Sequence, residues 1–416
     1  MRYFRHIPSR SAMPSSLGQS ARHIHQFARV LPLALMAALG CSEDATSPAA
    51  PEYAVPALTT EAAGALAFRQ VSTGDAHSCG VATDGRAYCW GVNSEGQLGD
   101  GTTTQRLAPV AVVGGLRFRH VNVGAWHSCG LTTEDRAYCW GYNSWGQIGD
   151  GTTTQRLRPV AVLGGRRFRQ VRAGWEHTCA ITPADVAFCW GENGYGQLGD
   201  GTGTGNATPV RVLGGLLWSQ VSVGLQHTCG VTTNNRLYCW GLNNYGQLGD
   251  ATTTRRLTPR AVSGGREFRQ VDAGGFAHTC AVTAEDVAYC WGYNGDGELG
   301  DGTTAQRLTP GAVAGLRRFD HLNAGHLHTC GVTRAGRTFC WGWNGAGQLG
   351  NGTTTNQLTP VQLGVVLEMR QVSAGVMHTC GVTTGNRAYC WGGGGGRNGD
   401  GTNAVQLLPV PVVAPM

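Results

Sequence analysis

Seven times along the chain a histidine stands two residues before one cysteine and twelve before another, and the second cysteine runs into a Trp-Gly pair. The histidines are His77, His127, His177, His227, His278, His328 and His378. Their cysteines are Cys79 with Cys89, Cys129 with Cys139, Cys179 with Cys189, Cys229 with Cys239, Cys280 with Cys290, Cys330 with Cys340 and Cys380 with Cys390. Three chemistries are open to such a set: a zinc site, a thiolate activated by imidazole, or a disulfide beside a structural histidine. A zinc site of ordinary type clusters its cysteines as C-x-x-C, and none of the copies does so. A catalytic constellation gives nucleophile, base and orienter different surroundings, whereas here all seven histidines have the same neighbours. The repeated residues therefore read as architecture, with no catalytic residue, no metal and no cofactor expected.

A second recurring phrase, "GQLGDGT", carries glycines and an Asp-Gly step. No GK[ST] follows it, and no further acids stand at calcium-loop spacing. It reads as a turn in which Gly takes positive φ and Asp or Thr bonds nearby backbone.

The elements that must hold these residues follow from the period. The histidines step by 50 residues, once by 51 where Gly275 is added at a turn. Self-similarity at this length marks a solenoid, propeller or array. One copy, residues 118–163, contains four short β-type segments, "FRHVNV", "HSCGLT", "RAYCWG" and "RPVAV", punctuated by Gly, Asn, Asp and Pro. No stretch has helical periodicity. Four strands per unit and seven units predict an all-β, seven-bladed β-propeller of four-stranded blades over residues 66–416. Each cysteine pair brackets a hairpin with a short odd loop, which brings residues ten apart opposite one another, close enough for a disulfide. Seven intrablade bridges are expected, with Cys41 left over. Trp90, Trp140, Trp190, Trp240, Trp291, Trp341 and Trp391 are expected to pack between blades.

The phrases "AGxxHTCGVT", "YCWGxNxxGQLGDGT" and "PVxV" resemble the repeats of the regulator of chromosome condensation (RCC1) family, whose fold is a seven-bladed β-propeller. The likeness runs from about Phe68 to Val413. It implies the fold, and it raises guanine nucleotide exchange as one function, although no copy is long enough to carry the inserted wedge that exchange depends on. It also raises a secreted inhibitor, since exported bacterial members grip β-lactamase-type enzymes with one face of the ring. The last copy, "YCWGGGGGRNGDGT", lacks the Gln-Leu pair and is one residue shorter, so its loop is expected to be loosely ordered.

Charge and leader narrow the setting. All 32 basic residues are arginine, and the net charge is +6. Five of those arginines and no acid fall within residues 1–40, which leaves about +1 without them. A near-neutral chain lacks the basic stripe that nucleic-acid binding needs. Residues 1–40 have a basic start and the apolar run "VLPLALMAALG", the outline of a signal peptide too short to span a bilayer. "ALGC" resembles the bacterial lipobox, with Ala38 where leucine is usual, and by that resemblance Cys41 carries a lipid anchor to the membrane. Residues 41–65, rich in Pro, Ala and Thr, read as a tether. Export to an oxidising compartment suits the seven bridges.

Repeated residues serve the scaffold, so recognition must use positions that differ among copies. Strand direction puts the "AGxxH" and "WGxNxxG" loops on one face and the "TxxGR" and "GGxxF" turns on the other. The variable positions of the first face include Trp126, Tyr142, Trp145, Trp175, Tyr195, Tyr245, Phe276, Tyr293 and Trp343. Aromatics on loops of a rigid ring suit protein or glycan recognition. The opposite face, with Glu134, Asp135, Asp185, Glu285, Asp286, Arg166 and Arg167, reads as a solvated polar surface. The expectation is a monomeric, noncatalytic binding scaffold at the bacterial cell envelope.

Overall fold

The computed structural model describes residues 66–315 and 317–415. The expected signal peptide, the tether and Cys41 lie outside the described residues. Within them the chain forms seven sheets of four antiparallel strands, each built from consecutive strands. The first blade has β1 (Phe68–Thr73), β2 (His77–Ala82), β3 (Ala87–Gly91) and β4 (Arg106–Ala111). The others span 118–161, 170–211, 218–261, 268–312, 319–362 and 369–411. The first strand of each blade touches the first strand of the next, and β1 meets that of blade 7, closing a circle. The fold is a seven-bladed β-propeller with the first strands innermost.

Each cysteine pair is directly opposite in the register of its second and third strands, as Cys79 is to Cys89. All seven expected disulfides form. Cys79 bonds Cys89, Cys129 bonds Cys139, Cys179 bonds Cys189 and Cys229 bonds Cys239. Cys280 bonds Cys290, Cys330 bonds Cys340 and Cys380 bonds Cys390. Their Cα atoms are 4.0 to 4.1 Å apart, and every one of these cysteines is 0% exposed. Seven separate apolar clusters lie between successive blades, each joining the sulfurs of one blade to a Trp of the next. The core is thus a ring of interfaces rather than one central mass. That is why the central channel is left to polar side chains.

The histidines work across the same interfaces. His77 Nε2 meets Ser128 Oγ at 2.8 Å, and Ser128 donates its proton to the Gln97 carbonyl at 2.9 Å. Trp140 Nε1 donates to that same carbonyl at 2.9 Å. Because the hydroxyl spends its single proton on the carbonyl, the histidine donates through Nε2. The pattern runs round the ring through His127–Thr178, His177–Thr228, His227–Thr279, His278–Thr329 and His328–Thr379. It closes with His378 on Ser78 at 2.7 Å, while Trp90 and Ser78 both donate to the Arg397 carbonyl. Blades 7 and 1 are joined by the same bonds as any other pair.

Each "GQLGDGT" loop is a turn of the expected kind. Asp100 Oδ1 accepts from Thr102 N at 2.9 Å and from Thr102 Oγ1 at 2.7 Å, while its Oδ2 meets Arg106. Gly99 has φ +66, and a Cβ there would lie 2.7 Å from Trp140 Nε1 of the next blade, so close approach requires glycine. At the next glycine position six blades have Gly at φ 81 to 84, and blade 4 has Ala251 at φ 64. An L-residue in this region costs about 1 kcal/mol. Ala251→Gly is expected to raise stability by about that amount, read as a higher denaturant midpoint with disulfides intact. An unchanged or lowered midpoint would contradict the strain assigned to Ala251.

The last blade departs from the expectation of a loose loop. Arg397 stands at the Gln position and bonds the Asp75 carbonyl at 3.1 Å and the Gly394 carbonyl at 2.5 Å. Asn398, at the leucine position, is buried and donates to the Gly392 carbonyl at 3.3 Å. In the other blades an asparagine five residues earlier organises this loop, as Asn93 does by accepting from Leu98 N. The substitution of one residue set for another keeps the shortened turn tied down.

Candidate functional site

The two loop families assigned to one face do meet there. Tyr142 N donates to the Trp126 carbonyl, Tyr293 N to Ala277 and Trp343 N to Leu327. On the far side, hairpin turns bond the start of the next blade, as Phe168 N does with Asp135 O.

Five rings from four blades make one connected group on the loop face. Trp175 of blade 3 stacks on His326 of blade 6, with centroids 5.3 Å apart and planes 25° apart. Phe276 lies 5.4 Å from His326 and 5.0 Å from Tyr293. Tyr245 completes the group at 5.7 Å from Phe276 and 5.2 Å from Tyr293. The residue added in blade 5 makes room for it: a Cβ on Gly275 would lie 3.3 Å from the His326 Cα and 3.4 Å from Trp175 Nε1. Burial pushes the His326 pKa down to about 4, so its ring is neutral and stacks as an aromatic.

Trp175, Gly275 and His326 also line the loop-side mouth of the central channel, a cavity of about 240 Å³ walled by the first strands of the blades. Two rings of polar side chains stitch these strands together. In one, a glutamine amide pairs with a single residue of the next blade: Gln220 Nε2 donates to Val271 O at 3.0 Å and Gln220 Oε1 accepts from Val271 N at 3.0 Å. Gln70, Gln270 and Gln371 repeat this, and His120 and His321 take the position in blades 2 and 6. The second ring is Ser72, Asn122, Arg172, Ser222, Asp272, Asn323 and Ser373. Burial raises the pKa of Asp272 to about 7, against the lowering effect of Arg172.

The model of the RCC1-like domain matches residues 34–319, and models of the regulator of chromosome condensation (RCC1) repeat match 335–382 and 369–401. The chain belongs to the RCC1-like repeat family. No curated protein matches it in sequence. Among solved structures, human WBSCR16 aligns over 76% of this chain and 87% of its own, at 25% identity and TM-score 0.70. Prp20p from Saccharomyces cerevisiae, described with binding properties to Gsp1p and histones, aligns over 84% and 87%, at 20% identity and TM-score 0.71. The ectodomain of the Arabidopsis thaliana receptor kinase ACR4 aligns over 85% and 100%, at 20% identity and TM-score 0.52.

Of the nine aromatics singled out on this RCC1-like ring, four join the group above: Trp175, Tyr245, Phe276 and Tyr293. Trp145 and Tyr195 stand out into solvent, 48% and 36% exposed. Trp126, Tyr142 and Trp343 are half-buried. The opposite face is less uniformly solvated than expected. Asp286 is buried and bound by Arg269 and Arg334 at 2.8 and 2.7 Å. Arg119 and Arg169 pair with Asp135 and Asp185, and Arg166 lies over the Phe188 ring at 4.6 Å. His326 escaped sequence reasoning because only Trp, Tyr and Phe were picked out of the loops, and the channel charges Arg172 and Asp272 escaped it because variation was sought only in loops. The signal for the two charges was available in the inner strands, where the second residue of "VSTG", "VNVG", "VRAG", "VSVG", "VDAG", "LNAG" and "VSAG" changes between Ser, Asn, Arg and Asp while its neighbours stay apolar or small.

Proposed function

We propose that this RCC1-like ring is a noncatalytic binding scaffold that works outside the cytoplasm and holds a protein or glycan on its aromatic loop face. In this reading Cys41 anchors a monomer to the bacterial cell envelope. One observation carries it: Trp175, Tyr245, Phe276 and Tyr293 occupy loop positions whose residue changes from blade to blade, yet they converge, with His326, on one patch. Scaffold residues repeat in every blade, and these do not. Aromatic rings supply large contact area at small entropic cost, which is why binding hot spots favour them. Seven buried disulfides suit an oxidising compartment. Protein binding by a ring of this fold has a precedent in the yeast relative described with Gsp1p and histones.

The test is crosslinking and pull-down from the native envelope with three proteins: wild type, a loop-face variant combining Trp175→Ala, Phe276→Ala and Tyr293→Ala, and an opposite-face variant combining Glu134→Ala and Arg167→Ala. The loop-face variant is expected to lose at least nine-tenths of the specifically captured partner while the opposite-face variant keeps it. Equal capture by all three, or loss only with the opposite-face variant, would reject the assignment.

A further inference from the structure

The inner polar ring contains a departure that the fold does not need. At six of its seven positions the side chain accepts a hydrogen bond from a backbone N–H of the next blade. Ser72 accepts from Val123 N, Asn122 from Ala173 N, Ser222 from Ala273 N and Asp272 from Ala324 N. Asn323 accepts from Ala374 N and Ser373 from Thr73 N. The seventh position is Arg172, which has only donors and cannot make this bond. An arginine here gives up the tie to the next blade and places a full charge inside the ring, against which it makes one hydrogen bond, to His120 of the preceding blade.

Arg172 is also underemployed. One NH1 bond reaches His120 Nε2 at 2.8 Å, and its attraction to Asp272 is coulombic, with no hydrogen bond between them. Asp272 sits two blades away on the same channel wall, held by Asn323 Nδ2 at 3.1 Å. Both line the cavity of about 240 Å³ that opens beneath the Trp175–His326 stack. A guanidinium and a carboxylate thus face a common space, are not joined, and are the only charged members of their ring. The space is smaller than the roughly 300 Å³ or more of drug-sized sites.

We propose that the central channel is a binding site for a small zwitterion of the free α-amino acid class, its carboxylate on Arg172 and its ammonium on Asp272. A planar guanidinium takes a carboxylate through two parallel bonds, and the ligand's two charges neutralise both buried groups without requiring them to approach each other. Ser222 and Asn323, beside Asp272 in the ring, offer further polar contacts to the ammonium. Trp175 and His326 stand at the loop-side mouth of the same cavity. The two charged contacts lie outside the loop-face patch, which shares Trp175 and His326 with the channel mouth, so binding at Arg172 and Asp272 is tested without reference to any partner of that patch.

The experiment is calorimetric titration and thermal-shift measurement of the disulfide-intact ring with the proteinogenic α-amino acids one at a time, each at millimolar concentration. At least one is expected to bind and raise the melting temperature. Its N-acetyl and α-amide derivatives, each lacking one charge, are expected to bind at least tenfold more weakly. The double variant, Arg172→Gln with Asp272→Asn, keeps the channel neutral and is expected to fold with the wild-type circular dichroism and lose the binding. Absence of binding by every amino acid, undiminished binding of both blocked derivatives, or binding retained in the folded double variant would each overturn the proposal.

Discussion

Reduced in denaturant and then returned to native buffer with reductant, the chain is expected not to regain its ring, whereas the oxidised chain refolds. The magnitudes decide this. Each disulfide closes a separation of ten residues, for which the chain-entropy estimate is about 2.8 kcal/mol, or on the order of 19 kcal/mol for seven. Net stabilities of folded proteins are about 5 to 15 kcal/mol, so loss of all seven exceeds what the remaining contacts hold in reserve. A single pair replaced, Cys229→Ala with Cys239→Ala, is expected to cost about 2 to 3 kcal/mol and leave the ring folded. Burial adds a kinetic consequence. Because all fourteen sulfurs are 0% exposed, reductant reaches them only after blades open, and the rate of thiol release should follow the rate of unfolding rather than reductant concentration. Circular dichroism alongside thiol counting checks both. A folded ring carrying fourteen free thiols would remove the bridges from the account of stability.

The blade was legible in the sequence because its parts are local. The strands alternate and break at Gly, Asn, Asp and Pro, and Cys79 faces Cys89 across one short hairpin, so the pairing follows from a register that eleven residues define. The same holds for the pairs ending at Cys139, Cys189, Cys239, Cys290, Cys340 and Cys390, each opposite its partner in the same way. The assignment of loops to faces followed from strand direction alone. What the sequence did not disclose is what each histidine bonds. The partner of His127 is Thr178, fifty-one residues on, and it is a partner only because the ring turns by one blade in that interval. Arg172 and Asp272 were hidden for a related reason. They lie 100 residues apart, in strands whose apolar positions repeat faithfully, and their shared space exists only once seven blades have closed. The Trp175–His326 stack spans three blades in the same way. Repetition made the scaffold easy to read and drew the eye from the inward positions where the repeats differ.

Acidification from pH 6 to pH 4 is expected to unfold the ring steeply. Burial pushes the pKa of His77, His127, His177, His227, His278 and His328 down to about 3, and that of His378 well below its usual value. The geometry explains why: Nε2 is already a donor to the next blade, and Nδ1, which would take the proton, has no hydrogen-bond partner. In the unfolded chain these histidines titrate near pH 6.5. Between that value and about 3 the unfolded state binds more protons, so their contribution is present above pH 6.5 and is lost as pH falls. Each histidine removes about 1.4 kcal/mol per pH unit, and seven remove on the order of 9. Buried carboxyls oppose them. Asp272 and Glu298, whose pKa values burial raises to about 7, and Asp75, Glu176 and Glu192, which burial raises in the same direction, bind protons in the folded ring that the unfolded chain releases, and they stabilise it on acidification. Five such groups at no more than the same slope cannot offset seven histidines that His120 and His326, pushed down to about 3 and about 4, reinforce, so the loss wins. Proton uptake on unfolding at pH 5, measured by calorimetry in buffers of different ionisation enthalpy, should be about five to seven per chain. His227→Asn should lower it by about one. Uptake below two protons, or a ring stable at pH 4 to the same denaturant concentration as at pH 7, would show that these histidines do not stand neutral in the fold.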